Sequence, residues 1–205
     1  PVNDKTSFTS LITLYECNIE LFQIFHFKKN ISKTKLKDFL KSRPDEEIIS
    51  EYIKYLNDFW NLMVNTFPEI EDFIHSNSLT TAEKYRDPIN GGNILFRPVA
   101  LLQMIKAISY IRSENNKISI KDIFSSFSKL DRNISKEPWV KIIWDPTSKR
   151  MIVNNQLLLK YLFVYIFNAK LLKDKDKKEL YSKYALVNNI PYNSVEEILD
   201  KYIIR

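Results

Sequence analysis

Glycine is nearly absent from this chain of 205 residues, which contains only Gly91 and Gly92, side by side. An average chain of this length carries roughly 14 glycines, at about 7% of residues. All-β proteins with many tight hairpins use glycine at their turns, so its scarcity favours helices. Because glycine adopts positive φ and allows close backbone approach, the adjacent pair predicts one turn that no other residue can form.

Cysteine and histidine are also scarce, since the chain has only Cys17, His26 and His75. A single cysteine excludes an internal disulfide and a cysteine-based zinc site, and we predict no metal and no cofactor. The sequence motifs of P-loop NTPases, dinucleotide-binding folds, zinc proteases and serine hydrolases are absent. No catalytic residue is therefore assigned, and whether the chain is an enzyme stays open, with the balance against it.

Long apolar runs are missing too. The longest, residues 157–169, is shorter than a membrane span and contains Lys160. No secretory signal pattern is present, and a lone cysteine fits a reducing compartment. We therefore expect a soluble, cytoplasmic protein with no membrane partner.

The charge balance is mildly basic, with 31 Lys and Arg against 25 Asp and Glu, for a net charge of +6. A basic balance is compatible with a nucleic acid or another anionic partner. The same value is ordinary for solubility in a domain of this size. Both interpretations stay open on charge alone.

The apolar periodicity predicts a mainly α fold, an irregular multi-helix domain with one long central loop. Helices are predicted at about 9–27, 32–40, 45–67, 99–113, 154–169 and 194–204, with others starting at Ser119 and Asp174. Residues 76–98 form the predicted loop. Strand character at 139–144, followed by the Asp145-Pro146 turn, allows a small β-hairpin. We expect one domain over 1–205, which divides at most into sub-lobes 1–78 and 79–205.

The central loop is the predicted site. Arg86 and Arg97 bracket the sequence Asn90-Gly91-Gly92-Asn93. Adjacent glycines expose backbone N–H groups that can hold an anion, and arginine adds bidentate hydrogen bonds to phosphate or carboxylate. The next helix begins at Pro98, and a helix N-terminus also favours anions. The alternative is a structural loop in which Arg97 pairs with a buried acid or caps a helix C-terminus.

A second candidate cluster surrounds the predicted hairpin and contains Trp139, Lys141, Trp144, Lys149 and Arg150. Aromatic residues interleaved with basic ones can stack on bases and hold phosphates. Tryptophans beside a hairpin also serve as core anchors. Lys149 and Arg150 are predicted as phosphate contacts, and the role of the tryptophans stays open.

Three short patches, residues 43–48, 91–99 and 144–152, together resemble the helical part of the DGQHR-domain family, which includes the DndB group of DNA sulfur-modification proteins. They read Arg-Pro-Asp-Glu-Glu-Ile, Gly-Gly-Asn-Ile-Leu-Phe-Arg-Pro-Val and Trp-Asp-Pro-Thr-Ser-Lys-Arg-Met-Ile. The family's defining Asp-Gly-Gln-His-Arg motif is absent, as is the β-rich half that carries it. The resemblance implies a fragment of a longer protein that lacks this N-terminal half.

The resemblance also implies a function. We expect a DNA-binding or regulatory accessory domain of a bacterial DNA-modification and defence system of the phosphorothioation type. DNA is the expected partner, with other proteins of that system as further partners, and Arg86, Arg97, Lys149 and Arg150 as phosphate contacts. The main alternative is a helical protein-interaction module without a nucleic-acid or catalytic role. An enzyme that binds a nucleotide at the central loop is the third.

Overall fold

Ten α-helices and one two-stranded hairpin form the regular structure in the computed structural model, which describes residues 6–29, 31–42, 44–76, 78 and 80–204. The predicted mainly α fold is confirmed. Arg43, the first residue of one family-like patch, lies outside the described residues. The elements are α1 (Leu11–Phe22), α2 (Lys33–Leu40), α3 (Glu46–Thr66), α4 (Pro68–His75), α5 (Thr81–Tyr85), α6 (Pro98–Glu114), α7 (Ile120–Phe127), β1 (Trp144–Asp145), β2 (Arg150–Met151), α8 (Gln156–Asn168), α9 (Asp174–Asn188) and α10 (Val195–Asp200).

Helix α6 lies at the centre of the fold. Eleven of its 17 residues are buried, so it is apolar on nearly every side, as expected of a helix enclosed by others. It packs against α8, in which eight of 13 residues are buried, and against α1. Buried residues from 17 to 199 belong to one hydrophobic cluster, so both predicted sub-lobes contribute to the same core.

The sequence signals for helix starts are confirmed at several boundaries. The Ser32 hydroxyl accepts a hydrogen bond from the backbone N–H of Lys35, and Ser119 with Asp122 forms a capping box. Pro68 is the first residue of α4, where its missing N–H costs no helical hydrogen bond. At its C-terminal end, α1 widens into a π-helical turn over Gln23–Phe27.

The predicted strand at 139–144 is wrong over most of its length. Residues 139–143 form turns interrupted by an isolated bridge between Val140 and Trp144, and only Trp144 and Asp145 pair with β2, in register with Met151 and Arg150. The backbone at Lys141 is left-handed (φ 64°), and its N–H donates to the carbonyl of Trp144. The apolar run reflects burial in the core, because Trp139, Ile142 and Ile143 are all fully buried.

The predicted central loop, 76–98, contains more structure than its lack of helical periodicity indicates. Helix α5 occupies Thr81–Tyr85, and a 3-10 turn covers Ile94–Phe96. Both are too short to show an apolar repeat, so periodicity cannot detect them. The segment 86–97, which we call the glycine loop, joins α5 to α6 and includes this 3-10 turn. It leads directly into α6, and its conformation therefore sets the start of the central helix.

Candidate functional site

Both glycines of the glycine loop are required by its geometry. Gly91 and Gly92 adopt φ of 76° and 74°, in the left-handed region. A Cβ on Gly92 would overlap the carbonyl oxygen of Tyr85 and lie 2.7 Å from the backbone nitrogen of Asp87. A Cβ on Gly91 would lie 2.6 Å from Cγ1 of Ile134. The turn that the adjacent glycines predict is therefore present. Main-chain atoms at Gly92 and side-chain atoms at Gly91 leave no room for a Cβ.

Arg97 binds the backbone of the loop. Its Nε donates to the carbonyl oxygen of Gly91 at 2.9 Å, and its Nη2 donates to the carbonyl oxygens of Gly91 and Asp87. Burial and the nearby charge of Arg86, opposed by Asp87, lower the pKa of Arg97 to about 10. Arg97 therefore pairs with carbonyl oxygens of the glycine loop. The structural role considered from the sequence is different, because it pairs Arg97 with a buried acid or with a helix C-terminus.

Arg86 also donates to main-chain carbonyls. Its Nε donates to Phe96 at 3.0 Å and its Nη2 to Phe8 at 2.9 Å. The guanidinium thus joins Phe96, near the end of the glycine loop, to Phe8, which lies 78 positions before Arg86 in the chain. These bonds give both bracketing arginines a structural role, and their contact with phosphate stays a prediction.

The carboxylate of Asp87 accepts hydrogen bonds from N–H groups of the glycine loop. One of its oxygens accepts from the backbone N–H of Ile89 (2.7 Å) and of Asn90 (3.0 Å), and the other accepts from the side-chain amide of Asn90 (2.8 Å). The hydrogen bonds from Asn90 and Ile89 lower the pKa of Asp87. Asp87 is absent from the site that the sequence predicts. An aspartate that precedes the turn Pro-Ile-Asn is the signal that identifies it, since aspartate commonly caps such turns.

The lowered pKa of Asp87 predicts a pH dependence of stability. A carboxyl group whose pKa is lower in the folded state contributes stability above its unfolded-state pKa and loses it as pH falls through the folded-state value. We therefore expect the melting temperature of the unmodified chain to exceed that of Asp87→Asn at pH 6, and the gap to close towards pH 3. Thermal melts at both pH values test this, and a gap of equal size at pH 3 and pH 6 would contradict it.

The glycine loop borders a cleft of about 410 Å³. Asn93, which is nearly buried, donates from its side-chain amide to Oε1 of Glu69 at 3.0 Å, and Arg132 donates from Nε to the same oxygen at 2.9 Å. Acidic side chains outnumber basic ones around the cleft. The charged residues that line it are Glu69, Asp87, Asp131, Lys84 and Arg132. This balance does not favour a phosphate in the cleft.

The hairpin carries the remaining predicted contacts. Asp145 fixes its turn by accepting from the backbone N–H of Thr147 at 2.9 Å and from the hydroxyl of Ser148 at 2.6 Å. Lys149 and Arg150 follow, and both are exposed, with side chains that form no hydrogen bond or ion pair with any described residue. These two cations are free to bind an external anion.

The glycine loop and the hairpin are in contact. A Cβ on Gly91 would lie 2.9 Å from Cδ2 of Trp144, the first residue of β1. Trp144 is 3% exposed and Trp139 is fully buried, so both tryptophans are core anchors and neither is placed to stack on a base. The loop thus supports the strand that leads to Lys149 and Arg150.

The comparisons with known proteins add no relative to this description. No protein-family model matches the chain, and no curated protein or solved structure matches it. Within the described part of the chain, no group of three or more His, Cys, Asp or Glu side chains could hold a metal ion. None of the described helices has both the length and the apolar character needed to cross a membrane.

Proposed function

We propose that this chain is a DNA-binding or regulatory accessory module that contacts the phosphate backbone of DNA. The observation that carries the proposal is the hairpin turn, which presents Lys149 and Arg150 as exposed cations without a side-chain partner among the described residues. Phosphate contacts of this kind give affinity and position without reading sequence. The link to a bacterial phosphorothioation-type modification and defence system rests on the three short sequence patches alone.

The glycine loop has an indirect part in this proposal. Arg86 and Arg97 hold its backbone, and Asp87 already occupies the N–H groups of residues 89 and 90. The loop therefore acts as a scaffold that positions β1 through Trp144. Direct phosphate contact by Arg86 or Arg97 would require each to exchange a carbonyl partner for a phosphate oxygen.

The hairpin contacts are tested with Lys149→Gln combined with Arg150→Gln. Each phosphate contact contributes about −0.9 to the slope of log affinity against log salt for duplex DNA. We expect the double variant to bind a labelled duplex more weakly and with a slope shallower by about 1.8. Fluorescence anisotropy over a salt series measures both. A slope equal to that of the unmodified chain would remove the hairpin from the proposal.

The alternative function, a helical protein-interaction module, has its own support. Leu11, Ile12 and Tyr15 of α1 are 82%, 73% and 61% exposed, an apolar surface that a protein partner could cover. DNA binding separates the two functions, because an interaction module of this kind binds no DNA at any salt concentration. Salt-dependent binding of the duplex by the unmodified chain therefore favours the DNA-binding proposal.

A further inference from the structure

The net charge of the chain is concentrated in one short segment. Residues 28–43, which we call the basic segment, contain seven Lys and Arg and only one acid, Asp38. Their net charge of +6 equals that of the whole chain. The other 189 residues contain 24 basic and 24 acidic residues and are therefore balanced. A positive field of this kind, localised on one stretch of chain, is typical of a surface that binds a polyanion.

Three lysines of the basic segment are free to meet a partner. Lys29, Lys35 and Lys37 are exposed, and their side chains form no hydrogen bond or ion pair with the described residues. Lys41 differs, because its Nζ lies 2.7 Å from Oδ1 of Asp38. That pair is 66% and 60% exposed, so water screens it and it is easily exchanged for another anion.

The aromatic ring of α2 packs against the chain itself. The ring centroid of Phe39 lies 5.5 Å from that of Phe22, 4.9 Å from that of His26 and 5.3 Å from that of Phe27. A helix that binds a membrane surface inserts its apolar side among the lipids. Because Phe39 packs against α1 and its π-helical turn, its ring would have to leave these partners to insert among lipids, whereas the exposed lysines can meet a polyanion as they stand.

We propose that the exposed lysines described in the basic segment form the principal surface by which this chain binds duplex DNA, with Lys29, Lys35 and Lys37 contacting phosphates and Asp38 pairing with Lys41. Duplex DNA carries one negative charge per about 1.7 Å of its axis, so a cluster of lysines releases many counterions on binding it. This inference rests on the proposed DNA-binding function and names its main contact surface. It requires no movement of the core.

The first test removes the three free lysines in the variant Lys29→Ala, Lys35→Ala, Lys37→Ala. We expect the slope of log affinity against log salt for a labelled duplex to become shallower by about 2.7, at about 0.9 for each lost contact. The matched control, Lys54→Ala, Lys117→Ala, Lys201→Ala, removes three exposed lysines from the balanced remainder and is expected to change the slope by less than about 1. Thermal melts of both variants verify that they fold. Lys28 is kept because its backbone is left-handed (φ 57°).

The second test is a gain of binding. Asp38→Asn removes the only acid of the segment and frees Lys41, so we expect tighter binding and a slope steeper by about 0.9. Unchanged or weaker binding would overturn the proposal that Asp38 limits the contact of Lys41 with DNA.

The outcomes separate the inference from the proposed function. Salt-dependent binding that both triple variants weaken equally overturns this inference and leaves the DNA-binding function standing. No binding of the duplex by the unmodified chain at any salt concentration overturns both. Vesicles of phosphatidylserine and phosphatidylcholine form the third arm, and binding to them without binding to the duplex also overturns both.

Discussion

Gly92→Ala is expected to be the more destabilising of the two glycine-to-alanine substitutions in the glycine loop. The new Cβ would overlap the carbonyl oxygen of Tyr85, and the backbone would have to keep φ at 74°. Left-handed backbone costs about 1–2 kcal/mol for an alanine, and overpacking against fixed atoms costs about 1–3 kcal/mol more. We therefore expect a loss of about 3 kcal/mol in the free energy of unfolding, or roughly 10 °C in melting temperature for a chain of this size.

Gly91→Ala is the matched comparison for this prediction. It has nearly the same φ, but its Cβ would meet side-chain atoms of Ile134 and Trp144, whereas the obstacle at Gly92 is backbone at a shorter distance. The loss of stability at Gly91 is therefore expected to be the smaller of the two. Urea unfolding of both variants measures the difference. Equal stability of Gly92→Ala and the unmodified chain would show that the loop does not hold the conformation described.

Arg97→Ala is also expected to cause a large loss of stability. The change leaves the carbonyl oxygen of Gly91 without its arginine donor and removes a bond to the carbonyl of Asp87. A hydrogen bond from a charged group contributes about 1.5–3 kcal/mol, and a buried acceptor left unpaired adds to the loss. We expect the free energy of unfolding to fall by about 3 kcal/mol, with the start of α6 affected first because Arg97 immediately precedes it.

The same substitution separates the two roles of Arg97 that the sequence leaves open. A scaffold role predicts lost stability, with the salt dependence of DNA binding retained by the molecules that remain folded. Direct phosphate contact predicts normal stability and a slope shallower by about 0.9. Arg97→Lys is the control, since it keeps the charge and loses the planar arrangement of donors. Substantial loss of stability in this variant would support the scaffold role.

Much of the fold follows from local signals. Ser32 and Ser119 mark helix starts through interactions within one turn, so the sequence alone is enough to place them. Segment 139–143 could not be predicted in this way. Its apolar residues resemble a strand, yet the core that encloses Trp139 is formed by distant residues such as Phe163, whose ring centroid lies 5.0 Å away. Burial, and not strand pairing, determines that pattern.

In the predicted site, too, local features could be predicted from the sequence and long-range contacts could not. The conformation of Gly91 and Gly92 is a local property and could be predicted. The partners of Arg86 are not local, because one of them is the carbonyl of Phe8, and sequence spacing does not reveal that contact. The basic segment can be found in the sequence. The net charge of the whole chain does not reveal it, because a total of +6 does not show that the excess charge lies in one segment.

The affinity of the unmodified chain for a labelled DNA duplex, measured over a salt series, tests the DNA-binding account most directly. Five phosphate contacts, from Lys29, Lys35, Lys37, Lys149 and Arg150, predict a slope of log affinity against log salt of about −4.5. The absence of binding at every salt concentration, or a slope shallower than about −1, would contradict the account.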